Sequence, residues 1–419
     1  MKIGLRIVGI FLAFAACMAF GFFWRDLGRG QAPSLASFER LAGMQVTSSK
    51  LSGPEVFSRN YHRLLTDYIR PVKPVELKYA GIEGMVSSLG DPHTIFLPPT
   101  AAKEFSEETM AKFGGVGARL SPDPLGAKVA VVFDDGPAFN AGLRKGNLIT
   151  GVNGVSMAGK DIDSIVEKIK GQEGTVVKLT VVQAGKEKPV TMTVRRARIT
   201  APTVEGSVLP KTKIGYLAVS SFSEPTAMQF DHELAKLEDQ GIQGLIIDLR
   251  GNPGGLLETA TDMLSRFVEN KVVVSMKYRD GREEQDKTST GDLHTFHYPI
   301  VVLIDGESAS AAEIFSGCLH DYGLVTLVGS KSYGKASVQN VWPLKDRSSA
   351  KITIARYYLP NGEYIGRSVD EDGVKTTGGL EPDVPVALNT DSLVVFGDPA
   401  TDNQLAKAIQ VVKSKMQSP

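Results

Sequence analysis

The sequence contains few residues of the kinds that mark several classes of protein. It has only two cysteines among 419 residues, which excludes a disulfide-stabilised scaffold. Lysine plus arginine and aspartate plus glutamate both number 47, so no excess of basic groups is present to neutralise the phosphates of a nucleic acid. The hydrophobic fraction of 42% excludes a disordered or collagen-like chain. At about 150 residues per domain, the length predicts two to three domains.

One long hydrophobic run lies at the amino terminus. Lys2 and Arg6 precede an apolar segment at residues 7–24, and Arg25 follows it. A positive start before a short apolar core indicates a Sec-type export signal within residues 1–30, and about 18 apolar residues are also just enough to span a bilayer. We therefore expect an exported, periplasmic or otherwise extracytoplasmic protein. Its signal is either cleaved or retained as a tether to the inner membrane through residues 7–24.

The rest of the chain divides by its hydrophobic periodicity into a multi-domain α/β protein. Apolar residues at helical spacing, short alternating strands, and strands that alternate with helices follow one another along the sequence. Asp161 is the predicted N-cap of the one helix in the strand-rich part. The predicted segments are a polar linker at 31–52, a helical segment at 53–112, a β-rich domain at 113–197, an α/β core at 198–390 and a helical tail at 391–419.

The helical tail has an apolar side. Leu405, Ile409 and Val412 recur at helical spacing in an otherwise polar segment. Such a stripe can pack against a second chain, which predicts a homo-oligomer.

A glycine-rich turn opens the β-rich domain. Gly114, Gly115, Val116 and Gly117 precede a predicted edge strand, and free backbone N–H groups in such a turn can bind the carboxylate at the end of a peptide. The segment 137–154 resembles the helix-and-hairpin pattern of PDZ domains. An unrelated β-rich linker domain is the alternative interpretation.

A serine-rich turn follows one of the predicted core strands. Gly306-Glu-Ser-Ala-Ser-Ala-Ala-Glu313 comes after the apolar run 300–304 and opens a helix. The dipole and the free N–H groups of a helix N-terminus stabilise developing negative charge there. A serine nucleophile also needs a base. None of the six histidines lies in a glycine-rich turn, so a Ser-His-Asp triad is not indicated, although its members need only meet in space.

A lysine can act as the base when burial lowers its pKa from about 10.4 by several units. Lys335 follows the predicted strand 324–328. Gln339 lies four residues later, on the same face of an extended segment, where it can orient the amine. Lys331 is the competing candidate in the same loop.

A further turn, Leu249-Arg-Gly-Asn-Pro-Gly-Gly255, ends a predicted buried strand. It can offer N–H groups to an oxyanion or to a phosphate, but no Gly-Lys-Ser/Thr follows, which excludes a P-loop. Taken alone, the motif is better explained as a plain tight turn.

The ordered set of motifs resembles the carboxyl-terminal processing, or tail-specific, proteases. The resemblance covers residues 55–388. It begins with Tyr68-Ile-Arg-Pro-Val72 and with the segment 81–98, which contains Gly-Asp-Pro-His-Thr, and it continues through the PDZ pattern and the turn 249–255. Ser-Ala-Ser-Ala-x-Glu, Tyr-Gly-Lys-x-x-x-Gln and the closing motifs at 357–362 and 379–384 then follow in the family's order.

The resemblance implies an α/β protease core of the tail-specific type, with an inserted PDZ domain and an N-terminal helical segment. It implies a Ser–Lys dyad that requires no cofactor and no metal. The second serine of the motif, Ser310 rather than Ser308, is the implied nucleophile. The other implied residues are Lys335 as base, Gln339 as its partner, and the N–H groups of Ala311 and Gly255 as oxyanion donors.

The expected function is that of an exported serine endopeptidase that cleaves proteins near their carboxyl termini. An apolar substrate tail would bind by strand addition to the PDZ domain, with its carboxylate at residues 114–117. The alternative is a catalytically silent PDZ scaffold that binds protein carboxyl termini.

Overall fold

The computed structural model describes residues 52–369, 375–390 and 394–417. The predicted export signal lies outside the described residues, as does the linker apart from its last residue. Within the described ranges, no helix combines the length and the apolar character needed to cross a membrane. The chain divides into two compact units, residues 1–82 and 83–419.

Two helices follow the linker. Helix α1 (Gly53–Asp67) begins at Ser52, whose backbone N–H donates to the Glu55 carboxylate at 2.8 Å, an arrangement typical of a capped N-terminus. Helix α2 spans Pro74–Ser87. The Tyr61 hydroxyl of α1 donates to the Pro74 carbonyl at 2.9 Å. Neither helix contains a buried residue.

Two antiparallel strands connect the β-rich domain to the chain on either side of it. Strand β1 (Ile95–Leu97) and helix α3 (Pro99–Met110) lead into β2 (Lys112–Gly115), which pairs with the later strand β9 (Ala197–Thr200). The Ala201 N–H donates to the Ala111 carbonyl at 2.7 Å, so the chain enters and leaves the domain at adjacent points.

The β-rich domain is a six-stranded antiparallel sheet covered by one longer helix and one short helix. Its core consists of buried apolar residues between Val116 and Val194, among them Leu143, Ile149 and Ile165. Asp161 caps the longer helix, because its carboxylate accepts from the Ser164 N–H at 2.8 Å. The elements are β3 (Ala118–Asp123), β4 (Gly126–Val132), α4 (Pro137–Asn140), β5 (Leu148–Val152), β6 (Val155–Ser156), α5 (Ile162–Ile169), β7 (Val176–Val182) and β8 (Pro189–Arg195).

The α/β core is built on a six-stranded sheet in the order β10-β11-β12-β15-β16-β21, parallel except for the pair β10–β11. Its central strands are buried along their whole length, as expected where helices cover both faces of a parallel sheet. The elements are β10 (Val204–Val208), β11 (Ile214–Val219), α6 (Thr226–Asp239), β12 (Gly244–Asp248), α7 (Leu257–Leu264), β15 (Ile300–Ile304), α8 (Ala311–Asp321), β16 (Val325–Gly329), β21 (Val384–Pro385) and α9 (Asn403–Gln417).

A second, antiparallel sheet lies beside the first. Its order is β1-β18-β13-β14, and β17 pairs along the other side of β18. The bounds are β13 (Val272–Tyr278), β14 (Glu283–Lys287), β17 (Ser337–Pro343) and β18 (Ser349–Tyr358), and a separate small ladder joins β19 (Ser368–Val369) to β20 (Lys375–Thr377).

The parallel sheet determines where the chemical motifs lie. Strands β12, β15 and β16 are adjacent and parallel, so their carboxyl ends lie at one edge of the sheet. β12 leads into the turn 249–255, β15 into Ser310, and β16 into the loop that carries Lys335. Ligands bind at this edge in open α/β sheets. The fold therefore brings three distant sequence motifs to one place.

The predicted apolar side of the tail is directed at the chain's own core. Leu405 and Val412 on α9 are fully buried, and with Ile409 they pack against residues of the central sheet such as Ile246 and Val301. These side chains are therefore occupied within one chain and do not supply the contact that the homo-oligomer was expected to use.

Candidate active site

Ser310 stands at the junction between β15 and α8. It is the residue before the first turn of α8, and its backbone has φ 53° and ψ −117°. A positive φ is costly for a residue with a side chain and persists only where the surroundings enforce it. Ser308 instead is fully buried, and its hydroxyl donates to the Leu249 carbonyl at 2.8 Å. Of the two serines of the motif, Ser310 is the half-buried one with a strained backbone.

The buried carboxylate of Glu313 connects Ser310 to the loop that carries Lys335. Its Oε2 accepts from the N–H of Ser310 and from the N–H of Lys335, both at 2.9 Å. Its Oε1 accepts from the Ser332 hydroxyl and from the Gly334 N–H. Burial raises the pKa of Glu313, although these four hydrogen bonds oppose the rise. One side chain therefore fixes the backbone of both candidate catalytic residues.

Lys335 lies in a mostly buried position. Burial, followed by the nearby positive charge of Lys351, lowers the pKa of its amine from its usual 10.5 to about 8. The negative charges of Glu313 and Asp91 act in the opposite direction. The Tyr357 hydroxyl donates to the Lys335 carbonyl and holds the loop in place. A lysine in this setting loses its proton much closer to neutral pH than a solvated lysine does.

The competing lysine has different surroundings. Lys331 forms an ion pair with Glu381 at 2.6 Å, and its side chain is 45% exposed. Lys331 therefore lacks the burial that distinguishes Lys335, and its ammonium is engaged by a carboxylate.

Gln339 lies on β17, and its amide is held by two hydroxyl groups. Its Nε2 donates to the Ser337 hydroxyl at 2.8 Å and to the Thr353 hydroxyl at 3.2 Å. The Thr353 N–H in turn donates to the Thr94 hydroxyl at 3.0 Å. Thr94 then donates to the Asp91 carboxylate at 2.6 Å. Gln339 is thus part of a hydrogen-bonded chain that begins in the segment before the β-rich domain.

That segment places two titratable groups near Lys335. Burial raises the pKa of Asp91, but hydrogen bonds from Thr353, Thr94 and the His93 N–H outweigh it and lower the pKa below its usual value. Burial, followed by the positive charge of Lys335, lowers the pKa of His93. Asp91 is therefore ionised and His93 neutral near pH 7. Both residues belong to the Gly-Asp-Pro-His-Thr motif of the segment 81–98, but the sequence alone assigns them no role.

One glycine of the turn 249–255, Gly254, lies against Ser310. A Cβ at Gly254 would be 2.8 Å from both the Ser310 Cβ and the Ala311 nitrogen, and Gly254 has φ 95°. A Cβ at Gly255 would be 2.2 Å from the Phe222 carbonyl oxygen. Ala311 is the first residue of α8, so its N–H has no acceptor within the helix. The helix N-terminus therefore brings the Ala311 N–H to the side of the serine, and Gly254 lets the turn approach it closely.

The glycine-rich turn of the β-rich domain is partly a strand. Gly114 and Gly115 belong to β2 and pair with Arg198 and Ala197 of β9. Val116 and Gly117 form the link to β3, and their carbonyls accept from Ala138 and Phe133. Of the four predicted carboxylate-binding residues, the structure places only the last two in the connection at the head of β3.

Two family models match the chain in these regions. One, described as peptidase family S41, matches residues 213–386, and the other, described as PDZ domain, matches residues 128–183. The first covers the three strand ends that carry Ser310, Lys335 and the turn 249–255. The second lies within the β-rich domain.

Curated relatives match most of the chain. Carboxy-terminal processing protease CtpB of Bacillus subtilis (strain 168) is 33% identical over 348 residues, which is 82% of this chain and 70% of that protein. Carboxy-terminal-processing protease of Bartonella bacilliformis is 33% identical over 338 residues, 79% of this chain and 74% of that protein. A solved structure, a putative S41 protease from Bacteroides fragilis, has a similar fold: the TM-score is 0.50 at 17% identity, over 83% of this chain and 91% of that one.

Proposed function

The chain belongs to peptidase family S41 and is a serine endopeptidase of the carboxy-terminal processing type, and we propose that Ser310 is its nucleophile and Lys335 its general base. The observation that carries the assignment is the Glu313 carboxylate, which accepts from the backbone of both residues with one oxygen. The strained serine at a helix N-terminus and the buried amine provide the nucleophile and the base that acyl transfer requires.

Acylation follows from these positions. The Oγ–H bond of Ser310 breaks, its proton passes to the Lys335 amine, and Oγ bonds to the carbonyl carbon of the scissile peptide. The Lys335 ammonium then returns the proton to the leaving amine as the C–N bond breaks. A water molecule, deprotonated by the same amine, hydrolyses the acyl-enzyme and restores Ser310. Lys335 thus accepts and returns both protons, first that of the Ser310 hydroxyl and then that of the water molecule, which restores the hydroxyl as the ester C–O bond breaks.

The lowered pKa decides whether Lys335 can act near neutral pH. With a pKa of about 8, about one tenth of the amine is neutral at pH 7, against roughly one part in 3,000 for a lysine at 10.5. Burial therefore increases the population of the reactive form about 300-fold. Burying the amine costs free energy, and the packing around β17 and β18 offsets part of that cost.

The oxyanion of the tetrahedral intermediate faces the amino end of α8. The N–H of Ala311 and the N–H of Gly255 are the proposed donors, and the helix dipole adds to their effect. Gly254 permits this arrangement because no side chain fits between the turn and Ser310. Gln339 keeps the wall beside Lys335 ordered through Ser337 and Thr353.

The PDZ domain is proposed to hold an apolar substrate tail beside β3. A peptide strand added to β3 would place its carboxylate at Val116 and Gly117. Half-buried apolar side chains lie on β3 and α5, where such a tail would contact them: Ala118, Leu120 and Ile162. The substrates are therefore proteins or peptides with an apolar carboxyl terminus.

We propose that the enzyme lies outside the cytoplasm. Its signal is either cleaved or retained as a tether to the inner membrane. The support is the positive start and the apolar run at residues 7–24. Fractionation of cells that express the full chain tests it, and recovery in the cytoplasmic fraction contradicts the proposal.

The catalytic assignment is tested on an unstructured protein with an apolar carboxyl terminus. Ser310→Ala and Lys335→Ala should each abolish cleavage. Lys331→Ala, in the same loop but paired with Glu381, should keep the wild-type rate. Replacing the apolar terminal residues of the substrate with aspartate should raise KM. Cleavage by Lys335→Ala at the wild-type rate contradicts the lysine mechanism, and binding without cleavage by the wild type supports the scaffold alternative.

A further inference from the structure

A buried ion-pair network joins the amino end of α9 to the turn beside Ser310. The Arg250 side chain is 2% exposed and Asp402 is fully buried. Arg250 donates from Nη2 to Asp402 at 2.6 Å and to Asp248 at 2.6 Å, and from Nη1 to Asp402 at 2.8 Å and to Gln404 at 3.0 Å. Asp402 lies 152 positions from Arg250 along the chain.

The network is fully satisfied by hydrogen bonds. One guanidinium faces the two carboxylates of Asp248 and Asp402, and the excess negative charge is met by further donors. The Tyr216 hydroxyl donates to Asp248 at 2.7 Å, and the Leu405 N–H donates to Asp402 at 3.0 Å. Removing one partner of such a buried pair leaves an uncompensated charge in the interior.

The backbone on both sides of Arg250 is bonded to the loop that carries the nucleophile. The Leu249 carbonyl accepts from Ser308, and the Gly251 N–H donates to Asp305 at 3.0 Å. The Asn252 carbonyl accepts from the Ala309 N–H at 3.0 Å. A shift of Arg250 therefore moves the turn that carries Gly254 and Gly255 relative to Ser310.

The geometry points to Arg250 and Asp402 as positioning residues for the turn 249–255. Through this pair, the segment that opens α9 helps to place the oxyanion donors of the active site. The inference rests on the proposed function. Arg250 does not touch the reacting atoms. It holds the corner of the turn between two carboxylates, one from β12 and one from the carboxyl-terminal segment. Asp402 is the second carboxylate that holds the guanidinium. Without it, Arg250 is paired with Asp248 alone and can move together with that side chain.

Asp402→Asn separates this role from the stability of the helix. Asparagine caps a helix N-terminus as well as aspartate does, so the bond from the Leu405 N–H is retained. Leu405, Ile409 and Val412 continue to hold α9 on the sheet. The substitution removes the negative charge and one of the two oxygen acceptors for Arg250. Asp231→Asn is the control for the same change of charge, because Asp231 also makes a two-oxygen pair, with Arg266, although its side chain is 42% exposed and lies away from the turn.

The experiment measures kcat and KM together with labelling by a serine-reactive fluorophosphonate, on the full chain. We expect Asp402→Asn to lower kcat at least tenfold, since displacement of a single oxyanion donor has effects of this size or larger. KM should change less than twofold, the fraction of molecules labelled at saturation should stay at the wild-type value, and the labelling rate should fall. Asp231→Asn should change none of these quantities. Gln404→Met, which removes one acceptor of Arg250 and the donor to the Val386 carbonyl, should give a smaller loss of kcat.

Three outcomes overturn the inference. The first is a wild-type kcat in Asp402→Asn. The second is a loss of activity that matches a loss of the labelled fraction, because that reports unfolded molecules and not a misplaced turn. The third, should Asp402→Asn not fold, is a wild-type kcat in Gln404→Met. If the wild-type chain cleaves no faster than Ser310→Ala, the proposed function fails instead, and the two failures are thereby distinguished.

Discussion

Deprotonation of Lys335 should govern how the rate of cleavage changes with pH. With a pKa of about 8, the neutral fraction of the amine is about 1% at pH 6, 9% at pH 7 and 50% at pH 8. We therefore expect kcat/KM to rise about 50-fold from pH 6 to pH 8 and to level off above pH 9. A histidine base with a pKa near 6.5 would give a rise of only about fourfold over the same interval.

The charges around Lys335 give a signed test of the same reasoning. Lys351 lowers the pKa of Lys335, so Lys351→Met should move the midpoint of the profile to higher pH. Asp91 raises it, so Asp91→Asn should move the midpoint to lower pH. Burial and the charge of Lys335 lower the pKa of His93, so His93 is neutral in the upper part of this range. Lys345→Met, in the exposed turn between β17 and β18, is the control and should leave the midpoint in place.

The assay uses an end-blocked peptide substrate without groups that titrate between pH 5.5 and 9.5. The profile is recorded as kcat/KM, which reports the free enzyme. A flat profile from pH 6 to pH 9, or shifts of the same sign in Lys351→Met and Asp91→Asn, would refute a base tuned by burial and by these two charges.

Three further outcomes are expected. Gly254→Ala should reduce kcat at least 100-fold, because the new methyl meets Ser310 at a backbone with φ 95°; wild-type turnover would contradict the close approach. Glu313→Gln should lower the free energy of unfolding by about 1–3 kcal/mol in urea titrations, since its amide nitrogen would face at least one backbone N–H in either orientation, and should lower the midpoint of the pH profile. Lys335→Met should be more stable than the wild type at pH 7. The folded wild type loses its proton near pH 8 and the unfolded chain near 10.5, so wild-type stability rises through that window and the difference in melting temperature should shrink there.

The sequence was informative where chemistry is local. The strand before Ser310, the strand before Lys335 and the turn 249–255 were each recognisable, because buried parallel strands are continuous apolar runs that end in distinctive turns. Their meeting at one edge follows from the parallel sheet. Residue types and order alone therefore gave the fold class, and the resemblance gave the candidate dyad.

Contacts between distant segments were not predictable in the same way. Glu313 in the first turn of a helix is an ordinary residue for that position, and only the structure shows that it accepts from the Lys335 backbone. Nothing in the sequence links Arg250 to Asp402. The apolar stripe of α9 was assigned to a second chain because periodicity identifies a buried face but not what covers it. Helix α3 lies within the predicted helical segment 53–112, but its polar composition carries too little periodicity to give its bounds.

Because strands β2 and β9 pair with each other, the PDZ domain is attached to the rest of the chain at one place. The chain enters and leaves the domain through one two-stranded ladder, and Ala111 is already bonded to Ala201 at its base. A turn of a few residues could close the core at this point, and another peptide-binding module could be exchanged for the present one without touching β12, β15 or β16. Two exchanges, one in β2 and one in β9, would be enough to join the same catalytic centre to another peptide-binding domain.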